Sequence, residues 1–157
     1  MKKQQKGFSL IELLIVVAII LIIAAIAIPN LLRSKMAANE ASAVGSLRTI
    51  NTASVAFSTT YGNYPTQLSD LATGSSVSST SADLIDTVLA SGTKSGYTFA
   101  IVPGSGTPVP SYQSSAVPVT PGTTGQRYFC SDASGVIQFN ATTTTAGGTC
   151  ASGNTPI

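Results

Sequence analysis

Hydrophobic residues are spread very unevenly along the chain. Between Phe8 and Ile28, 19 of 21 positions are hydrophobic, and Leu13 to Ile28 is sixteen residues without a polar side chain, twelve of them Leu, Ile or Val and four Ala. As a helix, 21 residues span about 31 Å, close to the roughly 30 Å hydrocarbon core of a bilayer. The pattern then changes. Val44, Leu47, Ile50, Ser54, Phe57 and Tyr61 recur at spacings of three or four, surrounded by the small residues Ala37, Ala38, Ala41, Ser42, Ala43 and Ala53. That periodicity predicts an amphipathic helix over residues 30–61, stopped by Gly62 and Pro65. A single helix from Phe8 to Tyr61 would run to about 80 Å at about 1.5 Å per residue, more than a head of this size needs for its own core. Its exposed half implies lipid or further copies of the chain; a tethered head on a helical stalk is the plainer alternative.

After Thr73, about a third of the residues are Ser or Thr, and the signals weaken. Residues 75–81 read as a loop, and Ser81 can cap a short helix, Ala82 to Ala90, closed by Gly92. Tyr97, Phe99 and Ile101 alternate as in a strand. Tyr112 to Val119 reads as a second strand, placed at an edge because Pro118 cannot donate to a ladder. Arg127 to Ser131 and Gly135 to Asn140 flank Asp132-Ala-Ser-Gly135 as a hairpin. The expected fold class is α+β, a long N-terminal helix packed against a small antiparallel sheet of three to four strands. The tail, residues 141–157, shows no periodicity.

Composition narrows the chemistry. Charged residues are 9% of the chain, against about 25% in an ordinary soluble domain. The net charge of +2 gives no polybasic surface for nucleic acid. With no His, two Cys and six carboxylates, there is little from which to build a metal or acid–base site, so no catalytic residue, metal or cofactor is expected. Lys2, Lys3 and Lys6 crowd the N-terminus; without the first seven residues, five basic and six acidic side chains remain and the formal charge becomes −1. Lysines before the apolar block favour a cytoplasmic N-terminus and an exported head. Twelve strongly apolar residues outweigh the roughly 3 kcal/mol cost of placing Glu12 in a membrane. From the residues alone, a cleaved secretory signal with Ala25-Ile-Ala27 as its small-residue site, a plain anchor and something more specific all stay open. Glu12 and the length of the block count against the first.

The segment Lys6-Gly-Phe-Ser-Leu-Ile-Glu12 resembles the type IV pilin family, including the pseudopilins, in its Lys-rich leader, its Gly-Phe junction and its isolated Glu ahead of unbroken Leu, Ile and Val. The resemblance covers about the first 30 residues. It implies a leader at 1–7, a membrane or filament-core helix at 8–29, an amphipathic continuation at 30–62 and a head at 63–157 with a pilin-like roll. It implies cleavage between Gly7 and Phe8 by a membrane prepilin peptidase that also methylates the new Phe8 amine. It implies pairing of Glu12 with the amine of a neighbouring subunit, and a kink or local melting of residues 25–29 at Pro29. The family's usual upstream glycine is replaced here by Leu21. Implied partners are further copies in a helical filament, the peptidase, an inner-membrane assembly platform and the bilayer before assembly. The precursor would lie in the inner membrane and the mature form in an extracellular pilus serving adhesion, motility or DNA uptake.

Cys130 and Cys150 enclose 19 residues. In an exported chain, pairing is the usual outcome, worth about 3 kcal/mol for such a loop, and pilins commonly staple a C-terminal loop in this way; free thiols or a metal pair are the alternatives. A pseudopilin of a type II secretion system is the nearest rival function, its main subunit carrying a calcium-binding C-terminal loop rather than a disulfide; a membrane-anchored minor pilin is another. Weaker signals have plain readings. Asn140-Ala-Thr142 is a glycosylation sequon, Phe57, Tyr61 and Tyr64 form an aromatic path or a core stripe, and Asp83 and Asp86 are a calcium pair or simply solvated.

Overall fold

The computed structural model describes residues 8–74, 76–140, 150 and 155–157. The chain divides into two compact units, Met1–Lys35 and Met36–Ile157. Helix α1, Leu10–Tyr61, contributes to both.

In the first unit, α1 is apolar all round. Its most hydrophobic 18-residue window has a mean hydropathy of 3.3, and none of it is buried. Residues 25–29 are helical in the single chain. Proline removes the donor that would reach the Ala25 carbonyl; one residue on, the Asn30 side-chain amide donates to the Ile26 carbonyl (3.1 Å).

In the second unit, one face of α1 supplies five of the seventeen buried core residues. Ala43, Leu47, Ile50, Ala53 and Phe57 are buried together with Tyr97, Phe99, Ile101, Tyr112, Ala116, Phe129 and Ile137 from the sheet. Val44 and Tyr61 are partly buried against them, so the periodic stripe is a core stripe. Phe57 and Tyr61 stack at 4.7 Å between ring centroids, and Tyr64 stacks on Tyr112 at 5.0 Å.

The sheet has six antiparallel strands, not three to four: β1 Thr93–Lys94, β2 Tyr97–Pro103, β3 Tyr112–Pro118, β4 Tyr128–Asp132, β5 Ile137–Asn140 and β6 Thr155–Pro156. They lie in sequence order. The two extra strands are the outermost, with two residues each, too short for any alternation to show. Strand β3 is central rather than at an edge. Val119 donates to Gly96 (2.9 Å), which leaves the Tyr97–Pro118 pair between ladder bonds, and the pairing with β4 stops at Ala116. Pro118 therefore sits where no ladder donor is required. The short helix is also shorter than its pattern: α2 is Thr87–Ala90, capped by Asp86, whose carboxylate accepts from Leu89 N–H (2.8 Å). Asp83 has φ of 56°, a left-handed conformation that ends any helix through it. Asp83 thus lies outside α2, and Asp86 pairs with Lys94 (3.0 Å).

Two buried polar clusters fix the helix to the sheet. Glu40 on α1 accepts from the backbone N–H groups of Gln126 (2.9 Å) and Arg127 (3.2 Å) and from Arg127 Nε (2.8 Å). The Tyr97 hydroxyl donates to the Arg127 carbonyl (2.9 Å), and a Cβ on Gly125 would overlap the Tyr97 ring. Arg127 also lies 5.5 and 5.4 Å from the ring centres of Phe129 and Phe139. Asn51, one turn before Ser54, donates to Ser131 Oγ (2.7 Å) and accepts from the Tyr112 hydroxyl (3.1 Å). Burial pushes the Tyr112 phenol up to about 12.

Cys130 and Cys150 are joined by a disulfide, with Cα atoms 5.6 Å apart. Alternation along β4 turns Phe129 and Ser131 toward α1 and Cys130 to the opposite face. Asn140 ends β5; the other two residues of its sequon, 141 and 142, and most of the tail lie outside the described residues.

Burial raises the pKa of Glu40, but the hydrogen bonds from Gln126 and Arg127, with the charge of Arg127, outweigh it and hold the carboxyl below its usual range. A depressed carboxyl stabilises the fold above the ordinary glutamate range, and this stability is lost as pH falls through the folded value. Glu40→Gln should therefore cost about 1.5–3 kcal/mol at neutral pH and flatten the acid limb of stability. Urea unfolding of the full chain in detergent, followed by the tyrosine near-ultraviolet signal between pH 7 and 3, measures both; parallel acid losses in the two proteins would remove Glu40 as the cause.

Candidate functional site

A helix that begins in an apolar setting must satisfy its first N–H groups locally. Leu13 N–H bonds to the Ser9 carbonyl (3.2 Å), making Ser9 the residue at which α1 opens. Three positions on, the Glu12 carboxylate reaches back through Oε2 to Ser9 N–H (3.2 Å). This is one half of a capping box, and a carboxylate in the first turn also opposes the positive end of the helix dipole. Ser9-x-x-Glu12 is the sequence signature of that motif, a signal overshadowed in the sequence by the membrane cost of Glu12. The bond uses Oε2 alone; among the described residues Oε1 has no partner.

Phe8 precedes the helix and is 83% exposed. Gly7 and the leader lysines lie outside the described residues. Pro29 falls within α1, and Cys130 and Cys150 belong to the second unit. From Leu10 to Leu32 the large apolar side chains are 44–75% exposed. Each Leu, Ile or Val left in water forgoes about 1.5–3 kcal/mol, so the surface between Glu12 and Pro29 is built to be covered by something other than water. Among the described residues, no group of three His, Cys, Asp or Glu side chains could hold a metal ion.

The arrangement defines a class before it defines a family: a head carried on an apolar helix whose first turn holds a single carboxylate beside a Gly-Phe junction. Residues 2–28 match the prokaryotic N-terminal methylation motif. Over 38 residues the chain is 60% identical to the type IV wide pilus major component PilA4 of Thermus thermophilus, a stretch covering 24% of this chain and 29% of that protein. The match thus spans under a third of the relative's length. No solved structure matches the chain. Motif and relative together support classification of the chain in the type IV pilin family.

The capping bond predicts a graded response. Glu12→Gln keeps an oxygen to accept from Ser9 N–H, whereas Glu12→Val does not. Hydrogen exchange at Ser9 in micelles should rise about fivefold for Val, from a loss of about 1 kcal/mol, and stay near wild type for Gln. Equal exchange in all three proteins would show that the carboxylate does not cap the helix.

Proposed function

We propose that the chain is a non-enzymatic structural subunit of a type IV pilus, polymerising through the N-terminal part of α1 into a surface filament. The observation that carries this reading is an apolar helix with no cover of its own, directly behind an N-terminal methylation motif. Before assembly the bilayer covers it; afterwards the same surface of other copies does.

In this reading a prepilin peptidase cuts between Gly7 and Phe8 and methylates the Phe8 amine, which keeps its charge. Glu12 holds its own Ser9 N–H through Oε2 and offers Oε1 to the amine of an incoming copy. An unpaired buried charge costs about 3–5 kcal/mol, so only the register that unites carboxylate and amine is favourable. Pro29, with one backbone bond already missing, is where the helix bends or loosens as copies pack. The precursor lies in the inner membrane with its head exported, and an assembly platform there extracts it. The Cys130–Cys150 staple and the likeness to a pilus major component favour a pilus subunit over a secretion pseudopilin. Adhesion, motility or DNA uptake would be properties of the polymer.

Three measurements test this. Intact mass of purified filaments should give a chain beginning at methylated Phe8; a start at Ile28 would identify an ordinary signal peptide. Electron microscopy of cells lacking the chain should show lost surface fibres, whereas intact fibres with lost secretion would identify a pseudopilin. Glu12→Gln separates charge from capping. It should retain the helix start and a mature membrane-held subunit yet lose about two decades of sheared filament, the equivalent of roughly 3 kcal/mol; normal yield would mean that apolar packing alone sets the register.

A further inference from the structure

The charges of the chain do not all find partners within it. Among the described residues two ion pairs are formed, Arg127–Glu40 at 2.8 Å and Lys94–Asp86 at 3.0 Å. Of the remaining carboxylates, Asp70 is buried and fully engaged. Its Oδ2 accepts from Thr66 N–H, Thr66 Oγ1 and Gln67 N–H, and its Oδ1 from Gln67 Nε2. Glu12 belongs to the N-terminal site. That leaves Asp83 and Asp132, both in the head. Each is held through a single oxygen: Asp83 Oδ1 accepts from Thr73 Oγ1 (2.6 Å), ten residues earlier, and Asp132 Oδ1 from Ser134 N–H (2.9 Å) and Ser134 Oγ (2.6 Å) in its own turn. In both, Oδ2 has no partner among the described residues, and the carboxylate is already oriented.

The spare cations are segregated from these acids. Arg33, Lys35 and Arg48 all lie on α1, exposed and without a hydrogen bond or ion pair among the described residues. Arg48 lines an open groove with Thr52 and the tip of the β4–β5 hairpin, residues 133–135, where water reaches it. Arg33 and Lys35 differ in position. They follow the apolar block by a few residues, so covering that block with other helices takes them toward a low-dielectric edge, where an unpaired charge is costly.

From this we infer that, in the assembled filament, Arg33 and Lys35 of one copy are neutralised by Asp83 and Asp132 of neighbouring copies. The inference rests on the filament reading above. In a homopolymer every partner must come from the same sequence, and among the described residues these are the only two side-chain carboxylates left with a free oxygen once Glu12 is assigned to the amine. The match is two cations to two acids. Cations on one element and acids on others make a head-to-tail contact rather than a two-fold one, and contacts of that kind propagate into filaments.

The test is a charge exchange in the full chain in cells, read as sheared filament against mature membrane-held subunit. Reversing the helix pair (Arg33→Asp with Lys35→Asp) should lower filament yield about tenfold or more while mature subunit stays at the wild-type level; membrane orientation is not weakened, because cations are removed from the exported side. Adding Asp83→Lys and Asp132→Lys should restore most of the yield. Placing four lysines instead at exposed Thr60, Ser105, Thr107 and Thr123 restores the same net charge without the pairing, and filaments should stay lost. Normal yield from the helix reversal would overturn the inference, as would rescue by the four control lysines. Absence of filaments from the unaltered chain would instead defeat the filament reading itself.

Discussion

Everything in this chain follows from a surface that the chain cannot cover. Twelve Leu, Ile and Val side chains between Leu13 and Ile28 have no apolar partner of their own, and no other part of the sequence is rich enough in hydrophobic residues to supply one. The head after Thr73 is dominated by Ser and Thr and commits its apolar side chains to the opposite problem, closing over the inward face of α1. The polar groups that interrupt each region are correspondingly few, and each has a definite task. Glu12 is the one acid within the apolar block, and its placement at the first turn turns a membrane liability into a helix cap.

The head reaches stability by another route than a large apolar core. Its interior includes Ser46, Asn51, Ser114, Ser115 and Ser131, side chains that are costly to bury unless hydrogen-bonded. Asn51 and Glu40 meet that condition by binding α1 to the β4–β5 hairpin and to the start of β4. Directional bonds at two points along α1 fix the register of the helix on the sheet more sharply than the small side chains around them could. The disulfide works on the other face of β4, where the C-terminal segment has little apolar surface to bury.

The parts legible in the sequence are those with a strong period or a strong chemical signature. The apolar run, the 3.6-residue stripe from Val44 to Tyr61, the four longer strands and the Gly7-Phe8 to Glu12 segment all declare themselves. Strands β1 and β6 do not, because two residues carry no alternation. The start of α2 is ambiguous in the sequence because Ser81 and Asp86 are both good caps, and the choice between them is made by the left-handed backbone at Asp83. Pro118 misleads for a related reason: a proline forbids a ladder bond only on the side where its nitrogen points, and that direction is a property of the register. The role of Glu40 is invisible to any local pattern, since its partners lie 86 and 87 residues away in sequence.

The consecutive order of the six strands bears on how the head is made. Every strand pairs only with its neighbours in sequence, so no strand must wait for a distant one or thread past it. Such a topology has low contact order for a sheet, which favours quick closure. A head exported from its N-terminal side can pair β2 with β3, and β3 with β4, while its tail is still in transit. The link between Cys130 and Cys150 can form only once position 150 has emerged, after β2 to β5 are available to pair and before β6 joins the edge.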